Sequence, residues 1–126
     1  MDSPFIDKKR IHENEFSYSF YDTYPVSKGH MLVVPKRIVP EIFDLTEDEY
    51  LSCLDLVRTV RNHLISEFNP DGFNVGANCG EAAGQTIFHA HIHVIPRYND
   101  DVDLLPSHKF HLTRIQFYQF FEGSSH

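Results

Sequence analysis

Cysteine is scarce in this chain: only Cys53 and Cys79 occur in 126 residues. Neither has a partner at zinc-like or redox-like spacing. That excludes a zinc ribbon, a redox motif and a disulfide-built scaffold, and it fits reduced thiols in a cytoplasmic protein. Long apolar runs are absent too. None approaches the roughly 20 residues needed to span a bilayer, and the opening Met1-Asp2-Ser3-Pro4 has no basic-then-apolar leader. Positive charge is in short supply, with 11 Lys and Arg against 18 Asp and Glu, a net charge of −7. Such a balance opposes long-range attraction to nucleic acid or to an anionic membrane. An anionic ligand must then be held locally, by imidazoles, backbone N–H groups and a few polar side chains. That favours a small phosphorylated molecule over a polyanion.

What is present suits one domain spanning 1–126. The length allows one real core, and 41% hydrophobic residues fit a folded chain. There is no internal repeat and no convincing linker. Residues 1–9 carry no pattern and read as a loose N-terminal arm, although Phe5 and Ile6 could pack. Residues 100–126 read as a variable C-terminal segment. Its aromatic cluster, from Phe110 to Phe121, suits either a short helix or a strand, and Ser124 to His126 reads as a disordered end.

Between these ends the pattern alternates and then turns helical. Arg10 to Glu13 and Phe16 to Tyr21 read as strands around an Asn14-Glu15 turn, with Phe16, Tyr18 and Phe20 on one face. Asp22 closes the second strand as a turn former. His30 to Pro35 reads as a buried strand after Gly29, and Lys36-Arg37 as a solvated turn. Thr46 to Phe68 is a long helix, opened by a Thr46-x-x-Glu49 capping box. Its apolar stripe is read as Leu54, Val57, Arg61, Leu64, Ile65 and Phe68, with His63 exposed and inert. Asn69-Pro70-Asp71-Gly72 ends it. Phe73 to Asn78 is another strand. A loop of small residues, Cys79 to Thr86, then leads into the most distinctive stretch. The order of elements and the short early connections predict an α+β fold with an antiparallel sheet.

That stretch is His89-Ala90-His91-Ile92-His93-Val94-Ile95-Pro96. Histidines at strict alternation predict a half-buried strand with all three imidazoles on one face. Same-face neighbours would sit about 6.6–7 Å apart, and the outer pair roughly 13 Å apart. Three histidines on a straight strand cannot close comfortably on one ion. Two could, with ligands from elsewhere. The other reading is a nucleophile with helpers on either side. The residues alone leave both open.

His89-x-His91-x-His93 with apolar residues in the gaps resembles the signature of the histidine triad (HIT) family. Gly29-His30 with its strand and Pro35, Asn78, and Gly84-Gln85-Thr86 also fall where that family places them. The resemblance covers roughly Arg10 to Arg97. It implies a HIT-like α+β fold: about five antiparallel strands, one long and one shorter helix, and a homodimer. It implies a hydrolase or nucleotidyl transferase acting at the α-phosphorus of a dinucleoside polyphosphate or a nucleoside phosphoramidate. His91 would be the nucleophile, forming a nucleotidyl-histidine that water resolves to a nucleoside monophosphate. His89 and His93 would contact phosphate oxygens, with His93 delivering the leaving-group proton, and His30 would support them. Gln85, Thr86 and Asn78 would bind phosphate, Asp22 the ribose hydroxyls, and Phe20 would wall a base, with a purine expected. No metal or other cofactor is required. Relatives with structural zinc use an N-terminal cysteine pair, which is missing here, and the phosphorylase branch carries Gln in place of His93. The rival readings are a non-catalytic purine-nucleotide sensor or scaffold, and a histidine metal site.

Overall fold

The computed structural model describes residues 2–102. The aromatic segment Phe110–Phe121 and the end at His126 lie outside the described residues.

A five-stranded antiparallel sheet forms the centre, made of β1 (His12–Glu13), β2 (Ser17–Tyr21), β3 (Met31–Pro35), β4 (Gly72–Gly76) and β5 (Ile92–Arg97), in the order β1-β2-β3-β5-β4. A long helix, α1 (Glu47–Phe68), connects β3 to β4, and a single-turn helix, α2 (Asn99–Val102), follows β5. This is the expected α+β architecture with one long and one short helix. No helix among the described residues is long and apolar enough to cross a membrane.

The sheet has two differently used faces, and β3 shows how. Strand side chains alternate, and here both sets are buried. Met31 and Val33 point toward α1, where they pack with Cys53, Leu56, Val60, Leu64, Ile92 and Val94. Leu32 and Val34 point the other way, into a cluster with Phe5, Tyr18 and Phe20. Leu32 pairs with His93 across the β3–β5 ladder, so His93 projects from the face opposite the helix.

Thr46 caps α1 as expected: its hydroxyl accepts the Glu49 N–H while the Glu49 carboxylate accepts the Thr46 N–H. The buried stripe differs from the expected one by rotation. Cys53, Leu56, Val60 and Leu64 face the sheet, whereas Leu54, Arg61 and Ile65 are exposed. Several three- and four-residue series fit a long helix, and the sheet selects among them. Cys53 is core packing, and burial pushes its thiol up to about 11. Lys36 and Arg37 are exposed in a bend, as expected, but Arg37 does more than turn the chain. Its guanidinium grips both carboxylate oxygens of Glu49 at 2.8–2.9 Å and ties the end of β3 to the helix start. His63 corrects a second expectation: its Nε2 meets the Tyr21 hydroxyl at 2.7 Å and its ring lies against His12.

The largest correction is at the N-terminus. Residues 2–9 are not a loose arm. Ser3 and Phe5 are buried on the sheet face away from α1, and Phe5 stacks within 5.2 Å of Phe20. Nothing in the local pattern signals this, because the partners lie in β2 and in the histidine segment.

Candidate active site

The histidine segment is not one straight strand. Regular pairing begins at Ile92, so only His93 of the three lies in β5, while His89 and His91 sit in the extended lead-in. That lead-in is anchored to the chain just after β3: the Ala90 N–H donates to the Val39 carbonyl at 2.7 Å, and the His89 Nε2–H to the Pro35 carbonyl at 2.7 Å. All three imidazoles are buried. His91 and His93 come together with ring centroids 5.1 Å apart.

Hydrogen-bond partners fix the protons. The Nδ1 of His91 donates to the main-chain carbonyl of His89 at 2.8 Å. A carbonyl only accepts, so Nδ1 holds the hydrogen and Nε2 carries the lone pair. Burial holds the His91 pKa below its ordinary value, with the His89 carbonyl pulling the other way. The ring is therefore neutral near pH 7. His30 begins from the other end. Its Nδ1 accepts the Val26 N–H at 3.0 Å, so its hydrogen sits on Nε2, which faces His93 Nδ1 at 2.9 Å. His93 accepts there and carries its own hydrogen on Nε2.

Gly29 makes this placement of His30 possible. It has φ of 93°, and a Cβ there would lie 2.9 Å from the Phe68 ring and 3.3 Å from Pro96. Only glycine fits that conformation and that approach without strain.

Asp22 does not present an open carboxylate for ribose. The backbone at the end of β2, where the Asp22 N–H donates to the His30 carbonyl, turns its side chain inward. Oδ1 accepts the Tyr24 N–H at 2.9 Å and Oδ2 lies 3.5 Å from His30 Nε2. Burial raises its pKa to about 7, against the smaller opposing effects of the Tyr24 N–H and Lys8. Asp22, His30 and His93 are also the one group of three among the described residues whose ligand atoms all lie within 4.8 Å of one another. A cation there would have to displace the proton that His30 shares with His93.

Gln85 departs from its expected place at phosphate. It is fully buried. Its amide donates to the carbonyls of Pro40 and Ile87 at 2.6 and 3.0 Å, and its oxygen accepts the Gly80 N–H at 2.8 Å. Both amide hydrogens are spent on shaping the loop. Thr86, next in the chain, is exposed, and Asn78 is half-buried just beyond β4. His89 likewise turns from phosphate to architecture: Ser3 Oγ bonds its Nδ1, Pro35 takes its Nε2–H, and the ring is completely enclosed. Burial lowers its pKa, opposed by the carbonyls of Pro35 and Arg37. Phe20 lies buried against Phe5, whose ring meets His91 edge-on at 5.5 Å. Sequence reasoning missed Ser3 as part of this site, and Phe5 beyond its capacity to pack. A serine and a phenylalanine in a stretch without periodicity offer no signal.

The HIT domain family matches residues 3–100. Protein hit of Bacillus subtilis is 37% identical over 93 residues, covering 74% of this chain and 64% of that protein. The bis(5'-adenosyl)-triphosphatase of Dictyostelium discoideum is 39% identical over 89 residues, covering 71% and 60%. Among solved structures, a HIT family protein from Bacillus anthracis superposes with a TM-score of 0.71 at 42% identity, over 75% of this chain and 67% of the other. The chain thus spans somewhat under two thirds of the length of these two curated relatives.

Proposed function

The chain belongs to the HIT domain family, and from that premise we propose that it cleaves the bond at the α-phosphorus of a nucleotide through a covalent intermediate on His91. The substrate class is a dinucleoside polyphosphate or a nucleoside phosphoramidate, and the product a nucleoside monophosphate. The similarity to a dinucleoside triphosphatase supports the class. The observation that carries the reading is the orientation of His91. Its Nδ1–H is committed to the His89 carbonyl and its pKa is lowered by burial, which leaves a neutral imidazole with its lone pair on Nε2 beside His93. A neutral imidazole is a competent nucleophile near pH 7 and a good leaving group afterwards.

The protons balance along the neighbouring chain of groups. Nε2 of His91 forms a bond to phosphorus as the bond to the leaving group breaks. The leaving atom takes the Nε2 proton of His93, His93 Nδ1 takes the Nε2 proton of His30, and His30 Nε2 takes a proton from the Asp22 carboxyl. A carboxyl with a pKa of about 7 still holds that proton in a large fraction of molecules at neutral pH. Asp22 ends as a carboxylate beside His30. Water then attacks phosphorus, the bond to His91 breaks, and the proton released returns through His93. Thr86, exposed just ahead of the histidine segment, offers a hydroxyl donor to phosphate oxygens. No step requires a metal ion.

Turnover of diadenosine triphosphate and of adenosine 5'-phosphoramidate by wild type and His91→Ala tests the reading. A loss of kcat of about 10³-fold or more is expected for a removed nucleophile. Undiminished turnover by the variant would end it.

A further inference from the structure

We propose that Ser3 is a positioning residue for the nucleophile, acting through His89. The inference rests on the role of His91 proposed above and assigns a function to the N-terminal segment, which lies outside the histidine signature. The connection is a chain of hydrogen bonds. The Phe5 N–H donates to Ser3 Oγ at 3.0 Å, which leaves the Ser3 hydroxyl hydrogen for its other partner, His89 Nδ1. That nitrogen can accept because the His89 hydrogen is on Nε2, donated to the Pro35 carbonyl. The ring is thus gripped at both nitrogens, and its tautomer and rotation are set. The main-chain carbonyl of the same residue receives the Nδ1–H of His91. Whatever fixes His89 fixes the acceptor that selects the reactive tautomer of His91.

Burial gives this chain its leverage. Ser3, His89 and His91 are all buried, so a lost hydroxyl is not readily replaced by solvent. In the Ser3→Ala protein His89 Nδ1 is left without a donor in a dry environment, at a cost typical of a buried unsatisfied polar atom. The ring can relieve this by rotating, and rotation pulls on the carbonyl that holds His91. Phe5 adds a steric brace, with its ring 5.6 Å from that of His89 and 5.5 Å from that of His91. The segment thereby connects the chemistry of the lead-in to β2 through Phe20.

Two measurements test this. The first is steady-state kinetics of wild type, Ser3→Ala and Ser3→Thr on whichever of diadenosine triphosphate and adenosine 5'-phosphoramidate is turned over faster. Ser3→Ala should lose about tenfold or more in kcat with KM changed less than about threefold, as for other residues that orient a reactive ligand from behind, and Ser3→Thr should recover most of the loss. Wild-type kcat in Ser3→Ala overturns the proposal, as does a loss confined to KM. The second is the ¹⁵N spectrum of the histidines in the full-length wild-type protein, which needs no variant to fold. It should show His89 protonated at Nε2 alone and His91 at Nδ1 alone. His89 protonated at Nδ1 overturns the role of Ser3 whatever the kinetics. Undiminished turnover in His91→Ala would instead remove the nucleophile reading itself, so the two failures are distinguishable.

Discussion

The backbone and one hydroxyl set the protons on three of the four buried imidazoles, and His30 sets those on the fourth, His93. The carbonyl of His89, the N–H of Val26, the carbonyl of Pro35 and the hydroxyl of Ser3 each leave one nitrogen with a hydrogen and one with a lone pair. Asp22 is the residue whose titration this arrangement makes visible. Burial lifts its pKa to about 7, so its reserve proton disappears as pH rises through that value. His91 must stay neutral, and its lowered pKa places its protonation below the ordinary 6.5. Hydrolysis of a phosphoramidate, whose amine needs a proton to leave, should therefore fall on the alkaline side of about pH 7 and on the acid side below 6.5. Asp22→Asn should be slow and lack the alkaline limb. A kcat–pH profile of the two proteins checks this; an unchanged alkaline limb in the variant would remove Asp22 from the relay. Stability follows the same sign. A carboxyl whose folded pKa exceeds its unfolded value, about 3.9, stabilises below that value and gives the contribution up as pH rises through about 7. Thermal melts of Asp22→Asn between pH 4 and 7 should lack that decline.

Elements matter because they bring distant residues to these positions. β3 supports His30 at its start and receives His89 at its end through Pro35. Arg37 then fastens that end to α1. Glu49 is held down to about 2, first by the Arg37 guanidinium and then by the Thr46 backbone. A depressed carboxylate stabilises above its unfolded value, about 4.3, and loses the contribution as pH falls toward 2. Glu49→Gln removes the ion pair with Arg37, while its amide oxygen can still accept the Thr46 N–H and keep the capping box. It should cost at most about 1 kcal/mol at neutral pH, because the Arg37 partner is half-exposed. The urea midpoint should drop at pH 7, and the difference should close near pH 2. An equal midpoint at pH 7 would show that the pair holds nothing together. Much of this level was legible beforehand. Thr46 and Glu49 announce the helix start, and the alternation around Tyr18 and Phe20 and from Ile92 to Pro96 announces strands, because local hydrogen bonds and periodicity leave local marks. The buried stripe of α1 did not show, since Leu54 and Ile65 are as apolar as Leu56 and Val60 and only the sheet separates them.

For the whole molecule, the histidine signature and Gly29-His30 pointed to the candidate site, but not to how its polar atoms are committed. His89 and Gln85 carry expected functional positions yet spend their polar atoms on the protein, and Asp22 faces His30. Those outcomes depend on which carbonyls a distant segment delivers, as Pro35, Pro40 and Val39 are delivered to the lead-in. Ser3 and Phe5 complete the site from the opposite end of the chain. The proposed activity turns on one event in this assembly: a phosphorus–nitrogen bond forms at His91. The most direct test is to quench the reaction with the faster-cleaved adenosine substrate within the first turnovers, under alkaline denaturing conditions that preserve phosphohistidine, and to map the protein by mass spectrometry. A single added adenosine monophosphate is expected on the peptide containing His91, absent from His91→Ala. Rapid turnover with no adduct, or an adduct on another residue, would contradict it.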